Sequence, residues 1–241
     1  METAGIIIIG NEILSGKVTD INSPYLCKEL RLLGVEVKQI ITIPDIPEII
    51  GQTVKEFSEA CTWVFTSGGI GPTHDDITVA SIARGFGVEL FESPVIIEAI
   101  KNYHGKSMTT AHRRMAMIPV GSELLEFAEG RATQLQFQNI FVFPGIPEYL
   151  RVRFSGIKER FRTTPIVLKQ IFLKADEGEI ADSLDATQAE FPQLMLGSYP
   201  KISGSDYNVK LTLECRDAEY LDQALKFLCE CLPEECVLRV E

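Results

Sequence analysis

The run from Trp63 to Thr78, W-V-F-T-S-G-G-I-G-P-T-H-D-D-I-T, constrains this chain more than any other stretch. An apolar lead of Trp63, Val64 and Phe65 enters a loop holding Gly68, Gly69, Gly71 and Pro72, followed by the adjacent carboxylates Asp75 and Asp76. Val79, Ile82, Ala83 and Phe86 then recur at helical spacing. Strand, phosphate-sized loop and helix is the simplest reading. The loop either holds the phosphate of a nucleotide or pterin, or is only a tight turn.

The flanking chain sets the architecture. Ala4 to Ile9 is continuously apolar, as in a central strand covered on both faces. It opens into G-N-E-I-L-S-G (Gly10 to Gly16), which places Glu12 at the strand's carboxyl end. Asp20 and Asn22 precede a helical pattern at Tyr25, Leu26, Leu30 and Leu33 that stops at Gly34. Val35 to Ile43 alternates as a second strand and ends in I-P-D, leaving Asp45 at its carboxyl end. Pro47 to Glu59 has helical spacing with proline in the first turn. Alternating strands and helices predict an α/β domain built on a mostly parallel sheet. In such sheets ligands bind at the carboxyl edge, where Glu12, Asp45 and the Gly68 to Thr78 loop would meet.

Farther on, Phe86 to Phe91 reads as a short edge element, Pro94 to Tyr103 as a helix and Thr109 to Met117 as weakly helical. The last of these carries His112, Arg113 and Arg114, read as a solvated face, with an anionic ligand as the alternative partner. Gly121 to Glu129 and Gln136 to Val142 read as strands or a hairpin. F-P-G-I-P-E (Phe143 to Glu148) is a second Pro/Gly turn before a helix. Thr163 to Pro165 marks a boundary, so domains are expected at 1–164 and 165–241. The second reads as βαββα: strands at Ile166 to Lys174, Leu194 to Tyr199 and Val209 to Leu213, helices at Glu177 to Glu190 and Ala218 to Leu232, and a turn at Ser203 to Asp206. It has no Gly-rich loop or acid cluster and is expected to be structural or dimer-forming.

A net charge of −11 disfavours nucleic acid or an anionic membrane as partner, because no basic field exists to meet a phosphate backbone. A phosphate must then be met locally by backbone N–H groups, a helix terminus or a metal. There is neither a charged-then-apolar leader nor an apolar run near membrane-spanning length, which predicts a soluble cytoplasmic protein. The six cysteines are read as reduced thiols, and Cys229, Cys231 and Cys236 lack zinc-site spacing.

Gly68, Gly69 and Gly71 allow backbone N–H groups to approach a phosphate closely, and the helix that follows would aim its free N–H groups at the same place. Ser67, Thr73 and Thr78 add hydroxyls. Asp75 and Asp76 would repel the anion unless one caps the helix or a divalent cation lies between. The glycines match neither a Walker loop nor a dinucleotide fingerprint, and no G-x-S-x-G occurs.

T-S-G-G-I-G-P-T-H-D-D-I-T, together with G-N-E-I-L-S-G, I-P-D and F-P-G-I-P-E in that order, resembles the molybdopterin-binding family. The family includes molybdenum-cofactor biosynthesis proteins, the amino-terminal domain of CinA and the molybdopterin-binding-like domain of animal FAD synthase. L-G-S-Y-P (Leu196 to Pro200) and V-K-L-T-L (Val209 to Leu213) look like the extension of the CinA and FAD synthase members. The resemblance implies a three-layer α/β/α domain followed by a small α+β, KH-like domain, a homo-oligomer, and phosphoanhydride chemistry. By position, Asp45 and Asp76 match the family's essential carboxylate pair, with Asp76 at a divalent metal such as Mg2+ or at the attacking water, and Asp75 as helix cap or outer partner. Substrate contacts are expected from Gly10, Glu12, Asn22, Thr66, Ser67, Gly68, Gly69, Gly71, Pro72, Thr73, Asp75, Thr78, Pro144 and Gly145. Asn11 departs from the family's G-D-E. The expected activity is metal-dependent hydrolysis of FAD or ADP-ribose; a non-catalytic flavin- or pterin-nucleotide module and molybdopterin adenylyl chemistry are the alternatives. No S-G-G-x-D-S type loop follows, so the chain is not expected to make FAD alone and reads as a piece of a longer one carrying an FAD-synthetase domain.

Overall fold

The computed structural model describes residues 2–105, 108–127, 132–201, 206–233 and 235–241. The chain divides into two compact units, Met1–Thr163 and Thr164–Glu241. In the first, β1 (Thr3–Ile9) is followed by the short α1 (Asn11–Leu14), α2 (Asn22–Leu32), β2 (Glu36–Ile43), α3 (Pro47–Ala60), β3 (Trp63–Ser67) and α4 (Thr78–Phe86). An inserted arm comprises β4 (Leu90–Glu92), α5 (Pro94–His104), α6 (Thr110–Arg114) and β5 (Met117–Pro119). β6 (Ser122–Phe127), β7 (Ala132–Phe137), β8 (Ile140–Phe143) and α7 (Pro147–Ile157) complete it.

The main sheet runs β2-β1-β3-β8-β7-β6. β2, β1, β3 and β8 are parallel, and β7 and β6 join antiparallel at one side. β1 is buried at all seven positions, as its unbroken apolar sequence requires. Successive side chains of a strand point to opposite faces, and β1 divides accordingly. Ile6 and Ile8 belong to a core with Leu26, Leu30, Leu150 and Phe154, under α2 and α7. Ile7 and Ile9 belong to one with Ile50, Val54 and Ile82, under α3 and α4. These are the three layers expected of the α/β/α domain. Phe65, Phe141, Phe154 and Phe161 cluster in the first core, with Phe65 and Phe161 edge to face at 5.0 Å.

Two expectations change. The short edge element expected over Phe86 to Phe91 is β4 at Leu90–Glu92, because Phe86 still belongs to α4; within that helix a Cβ on Gly85 would fall 2.6 Å from the Gly51 carbonyl oxygen, so this glycine lets α4 cross α3 in backbone contact. The helix ends at Phe86, capped by Gly87 in the left-handed conformation (φ +67°). The stretch Gln136 to Val142 is not one strand but parts of β7 and β8, which turn at Gln138 (φ +53°) and Asn139. The Asn139 carboxamide donates to the carbonyls of Ser58 and Cys61 and accepts from the Ser58 hydroxyl, so tertiary bonds hold a turn that carries no glycine.

The second unit contains β9 (Val167–Leu173), α8 (Glu177–Glu190), β10 (Met195–Pro200), β11 (Val209–Cys215), α9 (Ala218–Cys231) and β12 (Val237–Val240). All five elements of the βαββα reading are present, and β12 adds a sixth that the reading lacked. The sheet is antiparallel in the order β10-β11-β9-β12, a split βαβ arrangement. Its core includes Ile171, Leu211, Leu221 and Leu228. Asp176 and Glu179 form a capping box on α8, and Asp217 caps α9. Residues 203–205 of the expected Ser203 to Asp206 turn, and 128–129 of the strand expected through Glu129, lie outside the described residues. Among the described residues, no helix is long and apolar enough to cross a membrane.

Candidate functional site

Strand register decides which loops meet. Ile9 lies opposite Ile43, Ile8 opposite Ser67, and Ser67 opposite Phe143. The segments beginning at Gly10, Pro44, Gly68 and Pro144 therefore leave the sheet side by side at its carboxyl edge. Backbone bonds stitch them in pairs, from the Gly10 N–H to the Ile43 carbonyl and from the Gly68 N–H to the Phe143 carbonyl, each 3.1 Å.

Behind this edge lies a buried polar framework. Asn22 donates from its carboxamide to Ser67 Oγ (3.0 Å) and to the Gly145 carbonyl (2.8 Å), and the Ser67 hydroxyl donates on to the Pro144 carbonyl (3.2 Å). One directed chain thus joins α2, β3 and the loop after β8. Asp20, absent from the sequence nominations, sets Asn22 in place by accepting its N–H (2.9 Å) together with the N–H and hydroxyl of Ser23. Its signal in the sequence is an aspartate two residues before the first helical residue. The Thr78 hydroxyl donates to the Gly68 carbonyl (2.9 Å), and its N–H donates to the Gly69 carbonyl (3.0 Å). The hydroxyl hydrogens of Ser67 and Thr78 are thus spent inside the protein. Asn22 Oδ1 and Thr66 Oγ1 are buried and have no partner among the described residues.

Gly68 and Gly69 carry φ of +114° and +65°. A Cβ on Gly68 would overlap the Ile9 carbonyl oxygen, and one on Gly69 would overlap the Thr78 hydroxyl. Only glycine allows the loop to lie this close to the end of β1 and the start of α4. Gly10, Asn22, Thr66, Ser67, Gly68, Thr78 and Pro144 are buried, whereas Glu12, Thr73, Asp75 and Gly145 are exposed and Gly69, Gly71, Pro72, Asp45 and Asp76 are half-buried. The nominated residues therefore separate into a framework and a solvent-facing surface.

The acids form two groups. Asp45 accepts the N–H of Asn11 through Oδ2 at 2.8 Å, which ties the loops after β1 and β2 together, and the Glu12 carboxylate folds back against Gly10. The departure at Asn11 thus leaves its backbone engaged. In the second group Asp76 Oδ2 accepts both the N–H (2.7 Å) and the hydroxyl (2.5 Å) of Thr73, while Asp75 Oδ1 lies 2.6 Å from the same hydroxyl oxygen. The Thr73 hydroxyl holds the Asp75 carboxyl below the usual carboxylate range. Neither acid caps α4, whose N-cap is Ile77 without a side-chain bond, so the expectation of Asp75 as helix cap gives way to a loop-internal partner. The reason is that α4 begins at Thr78, two residues past Asp76, and both carboxylates turn back to Thr73.

A hydroxyl carries one proton, and here two carboxylate oxygens face it. Three hard oxygens with a single shared proton suit a divalent cation that takes its remaining ligands from phosphate and water, the usual manner of Mg2+. Among the described residues no three His, Cys, Asp or Glu side chains gather into a complete cage.

Fold and site together define a doubly wound α/β domain whose carboxyl edge presents a glycine-rich, anion-sized loop beside carboxylates. The chain belongs to the family described as the probable molybdopterin binding domain, whose model matches residues 5–163. Residues 165–241 match a second family model, the FAD synthase middle domain. A protein of Archaeoglobus fulgidus is 35% identical across 92% of this chain and 94% of its own length. A probable FAD synthase of Caenorhabditis briggsae is 30% identical across 92% of this chain but only 48% of its own, so the chain spans about half of that relative. In structure, the protein CinA from Thermoplasma acidophilum superposes with a TM-score of 0.61 at 27% identity, covering 66% of this chain and 98% of that one.

Proposed function

We propose that the first unit hydrolyses the pyrophosphate of an adenine dinucleotide, FAD or ADP-ribose, to two monophosphates. Water forms a bond to one phosphorus, and the bridging oxygen leaves with the other phosphate. From FAD the products are FMN and AMP. The observation that carries this reading is the pair of carboxylates on the single Thr73 hydroxyl, two residues past Gly71 of the glycine-rich turn.

Each group has a distinct task in this reading. Backbone N–H groups of Gly69 to Gly71 meet non-bridging phosphate oxygens, where fixed dipoles favour charge that develops in the transition state. A divalent cation, held by Asp76 with Asp75, would neutralise phosphate charge and lower the cost of bringing the anion beside these acids. Asp45, anchored by the Asn11 N–H through Oδ2, orients the attacking water with Oδ1. The buried chain of Asn22, Ser67 and Pro144 keeps the second loop at a set distance from the first.

The test is incubation of the purified chain with FAD and with ADP-ribose in Mg2+ or Co2+, with chromatography for FMN and AMP, or for AMP and ribose phosphate. Turnover is expected and should fall at least about a hundredfold in Asp76→Ala if its carboxylate acts in the transition state. Unchanged substrates across several metals would refute hydrolysis.

The half-length match to a probable FAD synthase favours one further reading, a module that binds a flavin nucleotide without turnover. Calorimetric binding of FAD with no products, and Asp76→Ala leaving affinity intact, would select it.

A further inference from the structure

Three consecutive basic residues of the inserted arm have separate fates. His112 completes a capping box on α6 with Thr109. Arg113 is paired through Nε and Nη2 with the Glu92 carboxylate, both on the arm itself. Arg114 leaves the arm, and its Nη2 donates to the Pro72 carbonyl at 3.1 Å, inside the glycine-rich loop. Pro72 immediately precedes Thr73, whose N–H and hydroxyl hold Asp76.

We propose that Arg114 is a substrate-contacting residue, whose guanidinium takes a phosphate oxygen of the dinucleotide bound at the Gly68 to Gly71 loop. This rests on the dinucleotide reading above. A guanidinium has five N–H donors in a planar fork, and among the described residues Arg114 donates to the Pro72 carbonyl and pairs with no carboxylate. That contrasts with Arg113, whose charge is already met by Glu92. The side chain is exposed, so donors not turned to Pro72 face solvent at the loop.

Electrostatics gives this placement a purpose. The chain carries a net charge of −11, and Glu12, Asp45, Asp75 and Asp76 all lie on the edge that must receive a pyrophosphate. A guanidinium pinned to the loop places fixed positive charge there and has already lost part of its rotamer freedom, so less is lost on binding. A residue needed only to strap the loop would require a donor but no charge.

That difference supplies the test. Arg114→Gln keeps an amide donor for Pro72 and removes the charge; Arg114→Lys keeps the charge without the fork. FAD and ADP-ribose are titrated calorimetrically into wild type and both variants at low and high salt, with thermal unfolding measured alongside. We expect Arg114→Gln to weaken both ligands by roughly tenfold to a hundredfold, the worth of a charged hydrogen bond. Its affinity should also depend less on salt, and Arg114→Lys should fall between the two. Equal affinity and salt dependence in all three proteins would reduce Arg114 to a strap while leaving the dinucleotide reading intact. Wild type that binds neither ligand would overturn that reading and this inference with it. If Arg114→Gln fails to fold, Arg114→Lys decides, since affinity equal to wild type in that variant excludes a role for the fork.

Discussion

Asn22→Asp exchanges one atom type without changing shape, and the structure makes its outcome depend on pH. The Asn22 carboxamide donates to Ser67 Oγ and to the Gly145 carbonyl, in a side chain 7% exposed. An ionised carboxylate offers neither bond and sets an unpaired negative charge against two oxygens. Breaking a buried polar arrangement in this way costs about 3–5 kcal/mol. A protonated carboxyl can still donate one hydrogen bond, so the acid form forfeits only the other, about 1–2 kcal/mol. Burial raises the folded-state pKa of the introduced carboxyl above its unfolded value of about 3.9. The acid form's contribution is therefore fully present below that unfolded value and lost as pH rises through the folded one. Trp63, the only tryptophan, lies on β3, so its fluorescence reports unfolding of the first unit. With about 2–4 °C per kcal/mol for a domain of this size, the variant should melt roughly 2–8 °C below wild type at about pH 3.5, below the unfolded value, and roughly 6–20 °C below it at pH 7.5. A deficit that is equal at the two pH values, or below about 2 °C at pH 7.5, would refute the directed chain from Asn22 through Ser67.

Gly68→Ala places a Cβ against the Ile9 carbonyl at φ +114° and should cost several times the roughly 1 kcal/mol expected of Gly16→Ala, where φ is +72° and the space is open; denaturant unfolding that ranks the two equally would contradict the close approach. Thr73→Val removes the hydroxyl that lowers the Asp75 pKa, so that carboxyl should titrate at higher pH in the variant by NMR, and an unmoved titration would break the assignment. Cys231 is exposed, whereas Cys215 and Cys236 are buried and burial pushes the thiols of Cys27, Cys61, Cys229 and Cys236 up. Iodoacetamide at neutral pH should therefore label Cys231 first by peptide mapping; first labelling at Cys27 or Cys236 would show that the fold around them opens.

Much of the architecture was legible because local pattern and burial agreed. The isoleucine run of β1 could be nothing but a strand covered on both faces, and the alternation of β1, α2, β2, α3 and β3 implied parallel pairing with the loops gathered at one edge. The missed features depended on contacts distant in sequence. Nothing in the spacing around Gly85 announces the backbone contact with Gly51 of α3, and the β7–β8 turn lacks glycine because Asn139 is held by Ser58 and Cys61. The strand β12 is short, and its membership of the sheet is decided by pairing with β9.

For the site, the chain itself determined which residue types could surround an anion: the glycines of the loop, two adjacent aspartates, and Asp45 and Glu12 at neighbouring strand ends. Spacing along a chain does not say which polar groups face inward. Tertiary structure turned Asn22, Ser67 and Thr78 into a buried frame, directed Asp75 and Asp76 to Thr73 instead of the helix terminus, and brought Arg114 from an inserted arm to Pro72. The physical reason is that a hydrogen bond's partner is set by where the backbone places both groups, and those placements follow from packing of the whole sheet and its helices.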